Sequence, residues 1–406
     1  MRGRGGVRPG CGPGDAGFGP GDAGCGRGDV RGGARGTVAA VTDLLPAPVD
    51  LLRATADLVD IASPSHHERE LADHIEARLR AVPWLTVDRV GDNVVARTML
   101  GRSLRLVLAG HTDTVPANGN DRALIDAGGD VLHGLGSADM KGGLAVFLHV
   151  AETLAEPAVD LTFVFYVCEE VAAVHNGLSA LFAERPDLLA ADAAILGEPT
   201  NAVIEAGCQG TMRVRLTLGG ARAHTARPWM GRNAIHRAGE VIGRIAASEE
   251  RRPVIDGCAY REALQVVAVD GGVAGNVVPD RAVLTVNHRF APDRDGEAAL
   301  AHVRAVIGED VLGDDAAIEV VDVSEGAAPG LTHPLLAHLL ELVGEPPVAK
   351  LGWTDVAFFA RHGIPAVNFG PGDPTIAHTA GEHVHRRDIE RAATVLTALV
   401  TAPRPD

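Results

Sequence analysis

The chain has 406 residues, of which 46% are hydrophobic and 22% are charged, and its formal net charge is −16. The length predicts two domains, and the acidic balance argues against nucleic acid or an anionic membrane as a partner. No apolar run reaches the roughly 18 residues that a membrane span needs. The five cysteines are odd in number and form no CxxC pair, which is typical of reduced thiols. The sequence therefore predicts a cytoplasmic globular protein.

Residues 1–43 differ from the rest of the chain. Gly, Arg, Asp and Pro dominate this segment, and the hexapeptide GPGDAG occurs twice, at 12–17 and 19–24. Such a segment cannot bury enough apolar surface to offset the entropy lost on ordering. Glycine does not keep a strict third-position period, which excludes a collagen helix. We predict a disordered tail or translated sequence upstream of the natural start.

From residue 44 onward the pattern is that of an α/β protein. Helical periodicity predicts helices near 48–59, 68–80 and 143–154. Short runs rich in Val, Leu and Phe predict strands at 94–96, 104–108, 161–167, 193–196 and 366–369. Buried apolar strands that alternate with helices are typical of a mostly parallel sheet covered on both faces.

Residues 211–326 have a different character. The predicted order is strand, helix, two strands, helix, strand, which is the ferredoxin-like arrangement. The predicted strands are 212–218, 264–269, 282–288 and 317–323, and the predicted helices are 234–247 and 296–307. We therefore predict a small α+β domain inserted into a larger catalytic domain that residues 44–210 and 327–406 form.

Most of the acidic and histidine candidates follow the predicted strands of the larger domain. They are His111, Asp139 in a Gly-flanked loop, the pair Glu169-Glu170, Glu198 and His378. Open α/β sheets bind ligands outside the carboxyl ends of their strands. A set made only of His, Asp and Glu is expected of a two-metal hydrolytic site, and the absence of Cys at these positions disfavours a sealed structural zinc.

Each of these residues also has an ordinary structural explanation. A histidine at a strand end is often structural, and Asp139 could cap a helix. The Glu169-Glu170 pair could lie in a solvated loop, although two adjacent carboxylates after a buried strand are costly unless a positive group faces them. Asp113 lies two residues after His111 and could accept the free ring N–H of that histidine. Only the combination indicates a metal site.

The order of these residues resembles that of the aminoacylase and carboxypeptidase family of dizinc peptidases. The motifs that carry the resemblance are His111-x-Asp113, Asp139 before Met140-Lys141-Gly142, Glu169-Glu170, Glu198-Pro199 and the late His378. The resemblance extends from about residue 44 to the end of the chain. The runs 110–120, 205–211, 275–280 and 352–357 are similar to those of the branch that hydrolyses N-succinyl-LL-2,6-diaminopimelate.

The resemblance implies two zinc ions, for which cobalt could substitute. Asp139 would bridge the two ions. His111 and Glu198 would complete the ligands of one ion, and Glu170 with His378 those of the other.

The resemblance also implies the roles of further residues. Glu169 would be the general base, and His224 would stabilise the oxyanion from a homodimer partner joined through the inserted domain. The residues at substrate-binding positions are Thr211, Arg227, Asn276, Arg289 and Thr354. Without the resemblance, His224 could be an exposed lid residue and Arg289 one member of a surface ion pair.

The chain departs from related enzymes at a few of these positions. Cys208 and Gln209 stand where some members of the desuccinylase branch have an arginine, and Arg227 stands where they have a tyrosine. Trp353 replaces a glycine, which predicts a narrower pocket near Thr354.

These features together predict hydrolysis of a small N-acyl amino acid. The resemblance makes N-succinyl-LL-2,6-diaminopimelate the leading substrate, in the synthesis of lysine and cell-wall precursors. Another N-acyl-amino acid hydrolase, or a dipeptidase on the same scaffold, is the alternative. A catalytically inactive binding protein is a third possibility, which the presence of Asp139, Glu169 and Glu170 disfavours.

Overall fold

The computed structural model describes residues 49–401, so the tail predicted over residues 1–43 lies outside the described residues. The helices are α1 (Leu51–Val59), α2 (Arg69–Arg80), α3 (Gly142–Thr153), α4 (Gly177–Glu184), α5 (Pro186–Leu189), α6 (Ala234–Ala246), α7 (Gly296–Ile307), α8 (Glu309–Leu312), α9 (Pro334–Val343), α10 (Val356–Arg361) and α11 (Arg386–Thr401). The strands are β1 (Thr86–Val90), β2 (Asn93–Arg97), β3 (Arg105–His111), β4 (Leu124–Ile125), β5 (Val131–His133), β6 (Asp160–Tyr166), β7 (Ala193–Leu196), β8 (Glu205–Ala206), β9 (Gly210–Gly219), β10 (Val254–Ile255), β11 (Cys258–Ala259), β12 (Ala263–Gly271), β13 (Arg281–Phe290), β14 (Ala316–Ser324), β15 (Val348–Ala349), β16 (Ala366–Asn368) and β17 (His383–His385).

The largest sheet has eight strands in the order β1-β2-β6-β3-β7-β16-β8-β15. Its centre is parallel, because β6 pairs with β3, β3 with β7 and β7 with β16 in the same direction. The antiparallel β1 and β2 extend one edge, and β8 pairs antiparallel to β16 on the other side. The prediction of a mostly parallel central sheet is confirmed.

Alternate residues of the central strands face two different helical layers. In β3, Leu106 and Leu108 belong to a core shared with α1, α2, α3, α9 and α11. Val107 and Ala109 face the opposite side, where α4, α5 and α10 pack. Since both faces are buried, the strand ends are where this sheet can present polar groups to a ligand.

A separate four-stranded sheet lies within the segment predicted to be inserted. Its order is β12-β13-β9-β14 and its neighbouring strands are all antiparallel. Helices α6 and α7 pack on one face through apolar residues such as Val241 and Val303. The order of strands and helices is ferredoxin-like, as the sequence predicts. The sheet spans residues 210–324, and the assignment of residues 211–326 to an inserted domain stays a prediction.

The described residues include three cysteines, Cys168, Cys208 and Cys258, which are buried free thiols. Cys11 and Cys25 lie outside the described residues. Within residues 49–401, no helix is both long enough and apolar enough to cross a membrane.

Candidate metal centre

The carboxyl ends of the central parallel strands bring the predicted metal ligands together. Strand β3 runs three residues further than the sequence predicts, so that His111 is its last residue. Glu169 and Glu170 follow β6, Glu198 follows β7 and His378 lies in the segment after β16. Because neighbouring parallel strands end at the same edge of the sheet, residues far apart in the sequence meet there.

Asp139 lies between the two histidines. Its Oδ1 is 3.0 Å from Nε2 of His111, and its Oδ2 is 3.5 Å from Nε2 of His378. Asp139 does not cap the following helix, because the N-cap residue of α3 is Lys141. With one oxygen directed at each histidine, the carboxylate is oriented as a ligand shared by two ions would be.

The side chains form two possible metal-binding groups that share Asp139. One contains His111 and Glu198, and the other contains Glu170 and His378; within each group the ligand atoms lie within 4.8 Å of one another. The buried Oε1 atom of Glu198 has no hydrogen-bond partner among the described residues, as expected of an atom that serves as a metal ligand. Imidazole nitrogens and carboxylate oxygens are donors that suit divalent zinc and its neighbours. The residues present therefore fit two divalent metal ions.

The pKa values at the site reflect crowded negative charge. Burial, together with the charge of Asp139, raises the pKa of Glu198 to about 7. Burial and nearby Asp355 raise the pKa of Glu169 well above its ordinary value. Hydrogen bonds to the carboxylates of Asp139 and Glu170 raise the pKa of His378 to about 10. The site thus holds more carboxylate than its histidines balance, and bound cations would supply the missing positive charge.

Asp113 connects the histidine strand to the glutamate pair. Its Oδ1 accepts the backbone N–H of Glu169 at 2.9 Å, and its Oδ2 accepts that of Glu170 at 3.0 Å and the hydroxyl of Ser65 at 2.8 Å. Nδ1 of His111 lies 3.0 Å from the backbone carbonyl oxygen of Asp113 and 3.5 Å from Oδ1. The carbonyl is thus closer to the ring than the carboxylate that the sequence suggests, and the carboxylate mainly positions the glutamate pair.

Two further buried acids support the site, and the sequence pattern gave no indication of their role. Oε1 of Glu382 accepts the backbone N–H groups of Ala138 and Asp139, both at 3.0 Å, and so fixes the loop that carries the shared ligand. Oδ2 of Asp355 accepts a hydrogen bond from Asn176 at 2.7 Å, and burial raises its pKa to about 6. Neither acid follows a predicted strand, which was the signal that selected the other candidates.

Some predicted substrate-binding residues lie on strands or in the core. Thr211 of β9 and Arg289 of β13 are directly opposed in the small sheet. Arg289 is half-buried, and burial together with Arg213 lowers its pKa. It makes no hydrogen bond or ion pair within residues 49–401, so its guanidinium group is not the member of a surface ion pair. Buried Thr354 donates a hydrogen bond from Oγ1 to Asn368 at 3.3 Å.

Trp353 precedes Thr354 and is also held in place. Its Nε1 donates to the backbone oxygen of Glu325 at 3.1 Å, and its ring packs edge-on against Phe358. The bulky ring is therefore fixed next to Thr354.

Three other predicted residues lie in exposed loops. His224 Nδ1 accepts the N–H of Ala226 at 3.0 Å, and the carbonyl oxygen of Asn276 accepts the N–H of Thr225 at 3.0 Å. Arg227 is exposed in the same loop as His224. In the described part of the chain, no hydrogen bond or ion pair joins these loops to the metal-binding groups. They remain accessible to a second molecule.

A doubly covered parallel sheet with histidines and carboxylates gathered around one shared aspartate is the architecture of a metal-dependent hydrolase. The chain belongs to peptidase family M20/M25/M40, whose model matches residues 107–402.

Two relatives are similar over most of their length. A Mycobacterium tuberculosis protein, assigned as the succinyl-diaminopimelate desuccinylase DapE, is 53% identical over 339 residues, which are 83% of this chain and 94% of the relative. The succinyl-diaminopimelate desuccinylase of Corynebacterium glutamicum is 46% identical over 347 residues, which are 83% of this chain and 92% of that enzyme.

Solved structures share the fold at lower sequence identity. Aminopeptidase PepT from Bacillus cereus has a TM-score of 0.71 at 21% identity, and covers 87% of this chain and 97% of its own. A dinuclear metal-binding peptidase of the M20 family from Bacillus subtilis has a TM-score of 0.63 at 17% identity, with coverage of 86% and 96%. At these identities the likeness shows the fold alone.

Proposed function

We propose that this chain hydrolyses N-succinyl-LL-2,6-diaminopimelate to succinate and LL-2,6-diaminopimelate in the cytoplasm. The observation that carries the proposal is the pair of metal-binding groups that share Asp139, in a chain 53% identical to a relative assigned as a desuccinylase. Hydrolysis of an amide requires an activated water molecule and a proton for the leaving amine. The residues around Asp139 are of the types that this reaction uses.

Zinc is the proposed metal, and cobalt is a suitable substitute. The proposed ligands are Asp139 for both ions, His111 and Glu198 for one ion, and Glu170 and His378 for the other. When bound, the ions supply Lewis acidity toward the amide carbonyl and lower the pKa of a water molecule.

Glu169 is the proposed general base. It belongs to neither of the groups that share Asp139, although one of its oxygens lies within 4.8 Å of ligand atoms of His111 and Glu170. Its carboxylate, close to the proposed ligands but outside both groups, suits a base that accepts a proton from water and then donates it to the leaving amine. Asp113 would hold Glu169 in position through the backbone N–H that it accepts.

The proposed contacts to the substrate come from both parts of the chain. Arg289 is half-buried and makes no ion pair with the described residues, which suits the binding of a substrate carboxylate. Thr211 opposes Arg289 on the neighbouring strand. Thr354 immediately precedes buried Asp355 in the sequence. Exposed Arg227 and Asn276 would contribute from the loops of the small domain.

We further propose a homodimer in which His224 completes the partner's site. The edge strand β12 exposes Val267 and Val269 by 59% and 57%, and α6 exposes Ile235 and Ile242, so that an apolar surface lies on the small domain. His224 would donate a hydrogen bond to the developing oxyanion, which typically contributes about 10²- to 10³-fold in rate.

The dimer is tested by mixing two nearly inactive variants, Glu169→Gln and His224→Ala, under conditions that exchange subunits. If His224 acts on the partner, one site of the mixed dimer collects both changes and the other has none, so activity returns. If exchange is demonstrated and no activity returns, His224 does not act across subunits.

The proposed substrate is tested with zinc-loaded protein and matched succinyl, butyryl and acetyl derivatives of diaminopimelate, together with dipeptides. A butyryl group has the same four-carbon chain as a succinyl group but ends in a methyl group where succinyl has a carboxylate. Charged hydrogen bonds contribute about 1.5 to 3 kcal/mol, so kcat/KM should fall by about 10- to 150-fold. Equal hydrolysis of both acyl groups would favour the alternative, an N-acyl-amino acid hydrolase of different specificity.

A further inference from the structure

The small domain contains a second cluster of ligand-type side chains. It consists of Glu262 immediately before β12, His288 on β13 and His302 on α7, and one ligand atom of each lies within 4.8 Å of the others. The cluster shares no residue with the groups around Asp139. The proposed hydrolysis gives it no role.

His288 is the member that most needs a partner. Its side chain is 1% exposed, and both ring nitrogens lack a hydrogen-bond partner among the described residues. A buried polar group of this kind destabilises the fold unless something binds it. The neighbouring ring of His302 lies 5.2 Å away between centroids.

Glu262 is buried and already oriented, yet it retains room for another bond. Its Oε1 accepts hydrogen bonds from Arg251 at 2.8 Å and from the backbone N–H of Ala291 at 3.1 Å. Among the described residues, its Oε2 accepts one hydrogen bond, from Arg294 at 2.9 Å. A carboxylate has about four acceptor positions, so one position on Oε2 is open. The two arginines hold the carboxylate as outer hydrogen bonds hold the ligands of metal sites.

A cavity of about 490 Å³ gives access to the cluster, and Glu249 and Glu250 are among its lining residues. Two of the arginines near it also pair with other carboxylates. Arg251 donates to Asp293 at 2.9 Å, and Arg261 donates to Glu250. The carboxylates around the cavity therefore offset part of the positive charge that a cation would meet, while Arg294 pairs with Glu262 itself.

We propose that Glu262, His288 and His302 form a separate binding site for a divalent transition-metal ion such as zinc. Two imidazoles and one carboxylate are a common ligand set for such ions. In a tetrahedral zinc site the ligand atoms are about 3.3 Å apart, which small side-chain movements reach from the present separation. The remaining coordination positions would face the cavity. An ion here would fasten α7 and the start of β12 to β13.

The probe is zinc itself, and equilibrium dialysis at fixed free zinc measures the ions bound per chain. His302→Ala removes the half-buried ligand and avoids disturbing the core. We expect this variant to bind one zinc ion fewer than the wild type and to keep its hydrolytic rate. The control is His236→Ala, which removes an exposed histidine of α6 in the same domain and should bind as many ions as the wild type.

Cobalt provides a second readout, because its visible absorption reports the ligands directly. The wild type should show a component that is absent from both His302→Ala and His288→Gln, with circular dichroism confirming that each variant is folded. Loss of a ligand should weaken this ion's binding beyond the 10- to 100-fold that an outer hydrogen bond contributes. Equal zinc content and equal cobalt spectra in the wild type and in folded His302→Ala would overturn the proposal. Loss of the same ion from His236→Ala would also overturn it.

Discussion

Replacement of Asp113 by asparagine tests how the catalytic loop is held. Asp113 is 1% exposed and accepts the backbone N–H groups of Glu169 and Glu170 on different oxygens. Asparagine has one acceptor oxygen. Its amide nitrogen is a donor and cannot accept the second backbone N–H. One of the two backbone groups must therefore lose its partner.

The size of the effect follows from these contacts. A buried N–H without an acceptor costs about 1 to 3 kcal/mol, and the remaining hydrogen bond, no longer to a charged group, loses about 1 kcal/mol. We therefore expect Asp113→Asn to lower the free energy of unfolding by about 2 to 4 kcal/mol. Because the proposed base and a proposed ligand would shift, kcat should fall by on the order of 10²-fold, the cost of a displacement of about 1 Å.

Urea unfolding of zinc-loaded protein and steady-state hydrolysis measure the two effects. The matched control is Asp126→Asn, since Oδ1 of Asp126 also accepts two backbone N–H groups, from Asp130 and Val131, but away from the catalytic site. This control should lose less stability and keep its kcat. If Asp113→Asn has the urea midpoint and kcat of the wild type, Asp113 does not hold the loop.

Three further predictions address the metals, the base and a buried lysine. Chelation should abolish hydrolysis and added zinc or cobalt should restore it, so full activity in metal-free protein would exclude the metal mechanism. Glu169→Gln should keep its metal and lose about 10²- to 10⁴-fold in kcat. Asp139→Ala should instead lose metal. Release of metal from Glu169→Gln would reverse the assignment of base and ligand. Burial lowers the pKa of Lys141 to about 8, against an ordinary 10.5, so the unfolded chain binds more protons between these values and the free energy of unfolding should rise with pH there. Urea unfolding should show that Lys141→Met lacks this contribution, which is at most about 3.4 kcal/mol for a pKa lowered from 10.5 to about 8. An equal rise with pH in the variant would contradict it.

The sequence was sufficient to locate the sheet and its polar edge. Apolar runs such as 161–167 mark strands because both faces of the sheet are buried, and the polar residues that follow them must lie at the strand ends. Once the strands are parallel, His111, Glu170 and Glu198 necessarily converge. For this reason periodicity indicated these three candidates, whereas Asp139 lies in a loop and its role as a shared ligand was implied by the resemblance.

The supporting contacts were not predictable in the same way. The partners of Asp113 and Glu382 are backbone N–H groups. The directions of these groups depend on the loop conformation, which the order of residue types does not predict. The residue before the glutamate pair, Cys168, has a φ of 61°, which turns the chain in a way that hydrophobic periodicity does not encode. By contrast, the position of His288 is visible in the sequence pattern, since it is one of the buried residues that alternate with more exposed ones along β13.

The sharing of Asp139 by two ligand groups has a consequence for how the enzyme would respond to metal supply. The first ion to bind takes up much of the negative charge of this carboxylate, which leaves a weaker site for the second. Occupancy would then be stepwise, with one tightly held ion and one that exchanges with the surroundings. Since the proposed reaction uses both ions, the fraction of active enzyme would depend on the free metal concentration near the dissociation constant of the weaker site. At low zinc concentration the protein would be inactive but still folded.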